Sequence, residues 1–336
     1  MTEGEPEGDG IAAWSLLRIS KAPAVLALCA IPLSSILTDR LSALQWLWWT
    51  PRFLLAGAAF AWLLVLFALA RYVWRSERET RRLVRWSIAA LCVFAWTLLG
   101  MWGFPKSRAE GSIRLVHWNP ADLASEFAVD AALQLRHLEP DVLVVTDCGT
   151  PLAREISQSF GSAGYTMAIA GKFLVCARGA IGDAQPIVAA RDRYISRIRC
   201  ETRLGPIQIE AVDLPSRTTL PRYHALRSLR ADLHAAREER GLSEPDLLCG
   251  DFNVPRGSAS LDLLAPDARE AFDSAGVGWG ASYPRPWSFL GIDLTLVRAP
   301  WRPVRSEIID FGCGRHRGQI VDLVVDGVDK PANTTE

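Results

Sequence analysis

Paired cysteines are the first thing this chain lacks. Its seven cysteines include no CxxC spacing, which excludes a zinc ribbon or a dense disulfide framework. Cys29 and Cys92 fall in apolar segments, while Cys148, Cys176, Cys200, Cys249 and Cys313 are scattered. One disulfide among those five stays open. A basic excess is missing too: the whole chain carries 37 Lys plus Arg against 37 Asp plus Glu, and residues 111–330 carry 25 against 28. A general duplex binder presents a basic face, so strong duplex nucleic-acid binding is not expected. Long apolar runs are absent beyond residue 105, and that part reads as an ordinary soluble domain. Before it, such runs crowd together with most of the 13 Trp.

Three apolar segments stand there, at residues 22–37, 53–70 and 86–104. A helix needs about 20 mostly apolar residues to cross a bilayer, so the second and third qualify readily and the first is marginal. The acidic start "MTEGEPEGDG" argues against a cleaved signal peptide. Short cytoplasmic loops are enriched in Lys and Arg. The loop "RYVWRSERETRRLVR" has six Arg and two Glu, whereas "TDRLSALQWLWWTPR" has only Arg40 and Arg52 beside Trp46, Trp48 and Trp49. The first loop is therefore expected inside, as is the amino terminus with Arg18 and Lys21. The predicted organisation is a cytoplasmic tail (1–21), a three-helix transmembrane anchor (22–104), a tether (105–110), a domain (111–328) and a disordered tail (329–336). Three crossings place that domain outside the cytoplasm, which is the periplasm for the inner membrane of a Gram-negative cell. The lipid bilayer is the first expected partner.

Within the domain, "SIRLVHWNPAD" predicts a strand ending at Asn119, and "ASEFAVDAALQLRHLEP" a helix with apolar residues at helical spacing. "DVLVVTD" is an apolar strand ending in Asp147 before a Gly-Thr-Pro turn. Four short strands follow ("YTMAIAG", "KFLVCARG", "SRIRCETRLG", "PIQIEAVDLPS"), then a long amphipathic helix over 220–240. In "DLLCGDFNVP" an apolar strand leads to Asp251 and Asn253, which the period of two puts on one side while Phe252 turns inward. A short helix near 259–264, a strand near 305–310 and "GRHRGQIVDLVV" close the domain. Strands alternating with few helices, and ending in carboxylate, amide or imidazole, fit an α/β sandwich of two sheets with a polar site along one edge.

The strand ends form a series: "HWN" at 117–119, "PDVLVVTD" at 140–147, "GDFN" at 250–253, "GID" at 291–293 and "RHRGQIVDL" at 315–323. In order and spacing this resembles the endonuclease/exonuclease/phosphatase (deoxyribonuclease I-like) superfamily across about 111–326. With the anchor, the chain resembles a bacterial membrane-anchored branch of it. The resemblance implies a four-layer, two-sheet α/β sandwich and a hard divalent ion, Mg2+ or Mn2+, on oxygen ligands. It makes Asn119, Asp147 and Asp251 the metal set, with Asp147 where the family has Glu. Asp251 would orient or deprotonate the attacking water, Asn253 would bind a phosphate oxygen, and His316 would be general acid or base, held in its tautomer by Asp293.

Three positions depart from the family's pattern. Asp147 is one methylene shorter than Glu. Asp213 stands where the family has a phosphate-facing His, and Arg315 where it has the Asp of Ser-Asp-His. Arg315 either pairs with Asp213 or clamps a phosphate with both guanidinium arms. The expectation is a divalent-metal-dependent phosphoesterase with an altered site, acting on a phosphodiester or phosphomonoester such as a lipid headgroup, nucleotide or nucleic acid. The alternative is a catalytically inactive family member that binds a phosphoester or a protein.

Overall fold

A computed structural model of the chain describes residues 9–73, 75–104, 106–190 and 192–327. Of the two predicted terminal tails, residues 1–8 and 328–336 are not described, and residues 9–21 of the amino-terminal one belong to the first helix rather than to a tail. Contacts divide the chain into two compact units, Met1–Gly100 and Met101–Glu336.

The first unit is helical: α1 (Asp9–Leu37), α2 (Gln45–Trp49), α3 (Arg52–Ala68) and α4 (Glu77–Leu99). Three stretches, Ile19–Leu37, Arg52–Val73 and Glu77–Leu99, are long and apolar enough to cross a membrane. Their contacts are built from small and branched residues, with Ala59, Leu63, Leu66, Leu83 and Ala90 buried among the helices. The carboxylate of Glu79 is fully buried between the Lys21 ammonium at 2.5 Å and the Arg82 guanidinium at 2.6 Å, which ties α1 to α4. The third helix is displaced from its expected apolar run of 86–104: it begins at Glu77 and stops at Leu99, and Trp102–Gly103 form β1 in the second unit.

That unit is a sandwich. Its first part holds β2 (Ile113–Trp118), α5 (Ala128–His137), β3 (Val142–Thr146), α6 (Thr150–Gly161), β4 (Thr166–Ala170) and β5 (Phe173–Ala177). Next come β6 (Ile181–Ala190), β7 (Arg193–Thr202), β8 (Gly205–Asp213), α7 (Arg222–Arg240) and β9 (Leu247–Asp251). The rest comprises α8 (Ala259–Leu264), β10 (Arg269–Glu270), α9 (Ala271–Ala275), β11 (Gly276–Trp279), β12 (Asp293–Val297), β13 (Trp301–Ile309) and β14 (Gly318–Val325). The first sheet runs β1-β11-β13-β14-β2-β3-β5-β4, the second β10-β12-β9-β8-β7-β6.

The side-chain period of two builds four layers from this. Along β3, Val142 and Val144 face the second sheet and pack with Ile198, Ile209 and Cys249, while Leu143 and Val145 face α5 and α6. On the far side, Leu248 of β9 and Leu294 of β12 pack under Leu226, Leu229 and Leu233 of α7. Those three leucines recur at helical spacing, and Gly241 closes the helix in the left-handed conformation (φ 62°). The predicted two-sheet α/β sandwich is thus the observed fold, with three candidate membrane-spanning helices before it. Helix α6 and strand β6 are additions to the sequence reading. All seven cysteines are free thiols.

Candidate active site

Strand register puts three carboxylates side by side at one end of the second sheet. Asp213 lies opposite Asp251 across β8 and β9, and Asp251 opposite Asp293 across β9 and β12. The first sheet ends above them with Asn119 after β2, Asp147 after β3, Lys172 before β5 and His316 before β14. Each of the three carboxylates takes one partner from across the sandwich. His316 Nδ1 lies 2.9 Å from Asp293 Oδ2, Asn119 Nδ2 donates to Asp251 Oδ2 at 3.0 Å, and Lys172 Nζ donates to Asp213 Oδ2 at 3.4 Å.

Local backbone explains why the strands can meet so closely. Gly250 has φ 149°, and a Cβ there would stand 1.9 Å from the Val212 carbonyl oxygen on the neighbouring strand. Gly314, at φ 70°, would put a Cβ 2.3 Å from the Pro120 carbonyl oxygen. Without that Cβ, the Arg315 N–H reaches the Pro120 carbonyl at 3.0 Å. His316 is then fixed from three sides. The Trp118 indole donates to its carbonyl at 3.1 Å, Asp293 holds its ring, and the Tyr283 ring centroid lies 4.7 Å from its own.

The electrostatics follow from burial. Asp251 is 3% exposed; desolvation, and next the charge of Asp293, push its carboxyl up to about 8. Asp293 is equally buried, yet His316 outweighs the desolvation and holds it below the ordinary carboxylate range. Desolvation works against the His316 imidazolium as well, but Asp293 and then Asp251 lift it to about 9. His117, one residue before Trp118, is different: full burial drives it down to about 4, and its Nε2 sits 3.2 Å from Thr146 Oγ1. It is a core imidazole.

Ligand atoms of Asp251, Asp293 and His316 lie within 4.8 Å of one another. His316 Nε2 is 3.9 Å from Asp251 Oδ2. The donor chemistry fits a divalent ion: two buried carboxylates stand together, and burial with the Asp293 charge raises the Asp251 carboxyl even though His316 lies 3.9 Å away. A hard ion would let it ionise. Asn119 Oδ1 accepts the Ala121 N–H at 3.2 Å and keeps a second lone pair for such an ion.

Asp147 is placed differently from the other two members of the expected metal set. Its side chain is 63% exposed and lies 3.9 Å from Lys172 Nζ, outside the Asp251 grouping. Asn253, in the left-handed region at φ 48°, donates its backbone N–H to Asp251 Oδ1 at 2.9 Å and its side-chain amide to the Leu214 carbonyl at 2.8 Å. Arg315 does not meet Asp213. Its guanidinium, 57% exposed, pairs with Asp122 at 3.2 Å and donates to the Tyr283 hydroxyl at 3.1 Å. Both partners sit on loops far away in sequence, which is why the pairing has no local signature.

The family model for the endonuclease/exonuclease/phosphatase family matches residues 121–316. The chain belongs to that family. Among solved structures, an endonuclease/exonuclease/phosphatase family protein from Bacteroides thetaiotaomicron is 13% identical, with 66% of this chain and 97% of that one covered at a TM-score of 0.51. A conserved protein of unknown function from Enterococcus faecalis is 13% identical, covering 64% and 100% at 0.51. The human Nocturnin catalytic domain with a bound sulfate anion is 12% identical, covering 64% and 93% at 0.50. At these identities the likeness is one of fold. Comparison with curated proteins finds no match. Lys172, Trp118 and Tyr283 are the site residues that the sequence reading of this family member passed over. For Trp118 the clue is its place inside "HWN"; Lys172 stands only as the first residue of the strand "KFLVCARG", and Tyr283 carries no local signal.

Proposed function

We propose that the second unit is a divalent-metal-dependent phosphoesterase whose reaction is carried by Asp251, Asp293 and His316. The observation that carries this reading is the buried triple itself: a carboxylate and an imidazole of shifted pKa, 3.9 Å apart, with a second carboxylate orienting the imidazole. Asp251 and Asn119 would hold the ion, which when bound supplies positive charge to the phosphoryl oxygens.

The remaining work falls to the chain's own groups. Asp293 accepts from His316 Nδ1, so Nε2 is the nitrogen turned toward Asp251 and the substrate. With its pKa lifted to about 9, His316 carries a proton at neutral pH and is suited to donate it to a leaving oxygen. Asp251, ionised, takes a proton from the attacking water. The Asn253 N–H fixes the rotamer of Asp251, leaving the other carboxylate oxygen to face Asn119 and the water.

Asp213 and Arg315 mark the site as altered, and a phosphoester of a lipid headgroup or nucleotide is the substrate class that suits a chain with a bilayer anchor. The Arg-rich stretch 71–85, which runs into the first turns of α4, supports a cytoplasmic position for that end of the helix and an extracytoplasmic one for the second unit. Full-length protein in detergent should hydrolyse bis-p-nitrophenyl phosphate with Mg2+ or Mn2+, and D251A and H316A should abolish this. Variants hydrolysing at the wild-type rate would overturn the reading. An alkaline phosphatase fused at the carboxy terminus should be active in cells; an inactive fusion would reverse the topology.

A further inference from the structure

We infer that Lys172 is a phosphoryl-binding residue of this site, a fixed cation contributed by the first sheet; the assignment rests on the phosphoesterase reading. Its position follows from register. Phe173 opens β5 opposite Thr146, and the Asp147 N–H donates to the Lys172 carbonyl at 2.9 Å, so Lys172 and Asp147 form the next rung beyond the paired strands. That rung lies at the end of the sandwich where Asn119 and His316 emerge.

Its aim is set by three contacts. The ammonium reaches across to Asp213 Oδ2 at 3.4 Å, stands 3.9 Å from Asp147 Oδ1, and lies 4.3 Å from the centroid of the Tyr194 ring. Tyr194 and Asp213 are themselves opposite each other on β7 and β8. A lysine loses considerable rotamer freedom when ordered, and a carboxylate pair plus an aromatic face offsets that loss. With a side chain 34% exposed, the amine is anchored yet open to a ligand.

Charge supplies the reason for a cation here. Four carboxylates, Asp147, Asp213, Asp251 and Asp293, crowd this end of the sandwich, and a phosphate group would be repelled by Asp213 in particular. Among the described residues no other lysine or arginine forms an ion pair with any of the four. Arg315 is spent on Asp122. An ammonium has three donors; one is directed at Asp213, and another can meet a phosphoryl oxygen in the same plane. Lys172 thereby turns the Asp213 side of the site from repulsive to attractive, acting as a point charge on phosphate.

The test is binding of inorganic phosphate to the full chain in detergent, by titration calorimetry, for wild type, K172R, K172M and the charge-balanced double variant K172M/D213N. Lys172 as a ligand requires K172M to bind phosphate about tenfold or more weakly than wild type, with K172R largely retaining affinity. The double variant removes a carboxylate left without its partner, so weak binding there as well excludes misfolding as the cause. Phosphate binding by K172M and K172M/D213N at wild-type strength overturns the assignment, as does a wild type that hydrolyses the ester yet binds no phosphate. Phosphate binding that depends on Lys172 in a wild type without hydrolysis would leave the assignment standing and remove the phosphoesterase reading instead.

Discussion

The two halves of the strand-end row solve the same problem in different ways. On one side Asp251, Asp293, His316 and Asn119 are buried and joined at 2.9 and 3.0 Å; on the other, Lys172, Asp213 and Asp147 sit part-exposed at 3.4 and 3.9 Å. Interactions in the dry half are weakly screened, so each charge there moves its neighbour's pKa strongly. Those in the wetter half are screened and tolerate exchange of one polar side chain for another. The three positions at which the sequence reading expects departures, Asp147, Asp213 and Arg315, are all at least part-exposed.

That comparison breaks most sharply at Asp251. D251N should reduce kcat for a p-nitrophenyl phosphodiester by about 10³-fold or more, measured at saturating Mn2+. If instead D251N and D213N cost the same, the dry half has no special standing. D293N comes next, at about 10²-fold. Its diagnostic readout is the pH profile: without Asp293 the imidazole loses its strongest charge partner, so the limb belonging to His316 should move down from about 9 toward the ordinary 6.5.

Stability should respond to pH in the same half. The folded pKa of His316 is above its unfolded value, so its contribution is complete below about 6.5 and is lost as pH rises through about 9. Asp251 acts in the same direction over a lower window, its contribution complete in acid and lost as pH rises from the ordinary carboxylate range through about 8. Metal-free protein should therefore lose stability progressively as pH rises from the acid range to about 9, seen as falling hydrogen-exchange protection of β9 and β14 amides. H316N should flatten the dependence. W118F, which removes the indole donor to the His316 carbonyl, should cost about 1 kcal/mol, read by the same protection factors. Smallest of all, R315A should change kcat/KM by less than about threefold, since its ion pair is exposed. A large loss there would move Arg315 into the site and narrow the contrast.

Much of this was legible in the sequence, for reasons that can be named. Phe252 turns into the core beneath α7 and α8, as the alternation around it requires, and the apolar runs ending at Asp147 and Asp251 are buried strands. Helix α6 left a readable trace in Leu152, Ile156 and Phe160 at helical spacing, masked by the Gly-Thr-Pro turn signal at its start. Strand β6 did not, because Gly182 and Pro186 interrupt its pattern and most of it is only half-buried. Lys172 was invisible because its partner Asp213 is 41 residues away, across the sandwich. Chain-distant pairing of this kind carries no period and no local composition.

Because each carboxylate of the row borrows its partner from the opposite sheet, the thickness of the hydrophobic filling between the sheets is what gauges every one of these contacts. A substitution deep in that filling, at Val144 or Ile209 for example, could detune the chemistry without touching a single polar atom. Loss of function in variants of this protein should therefore be sought in the middle of the sandwich as readily as at its rim.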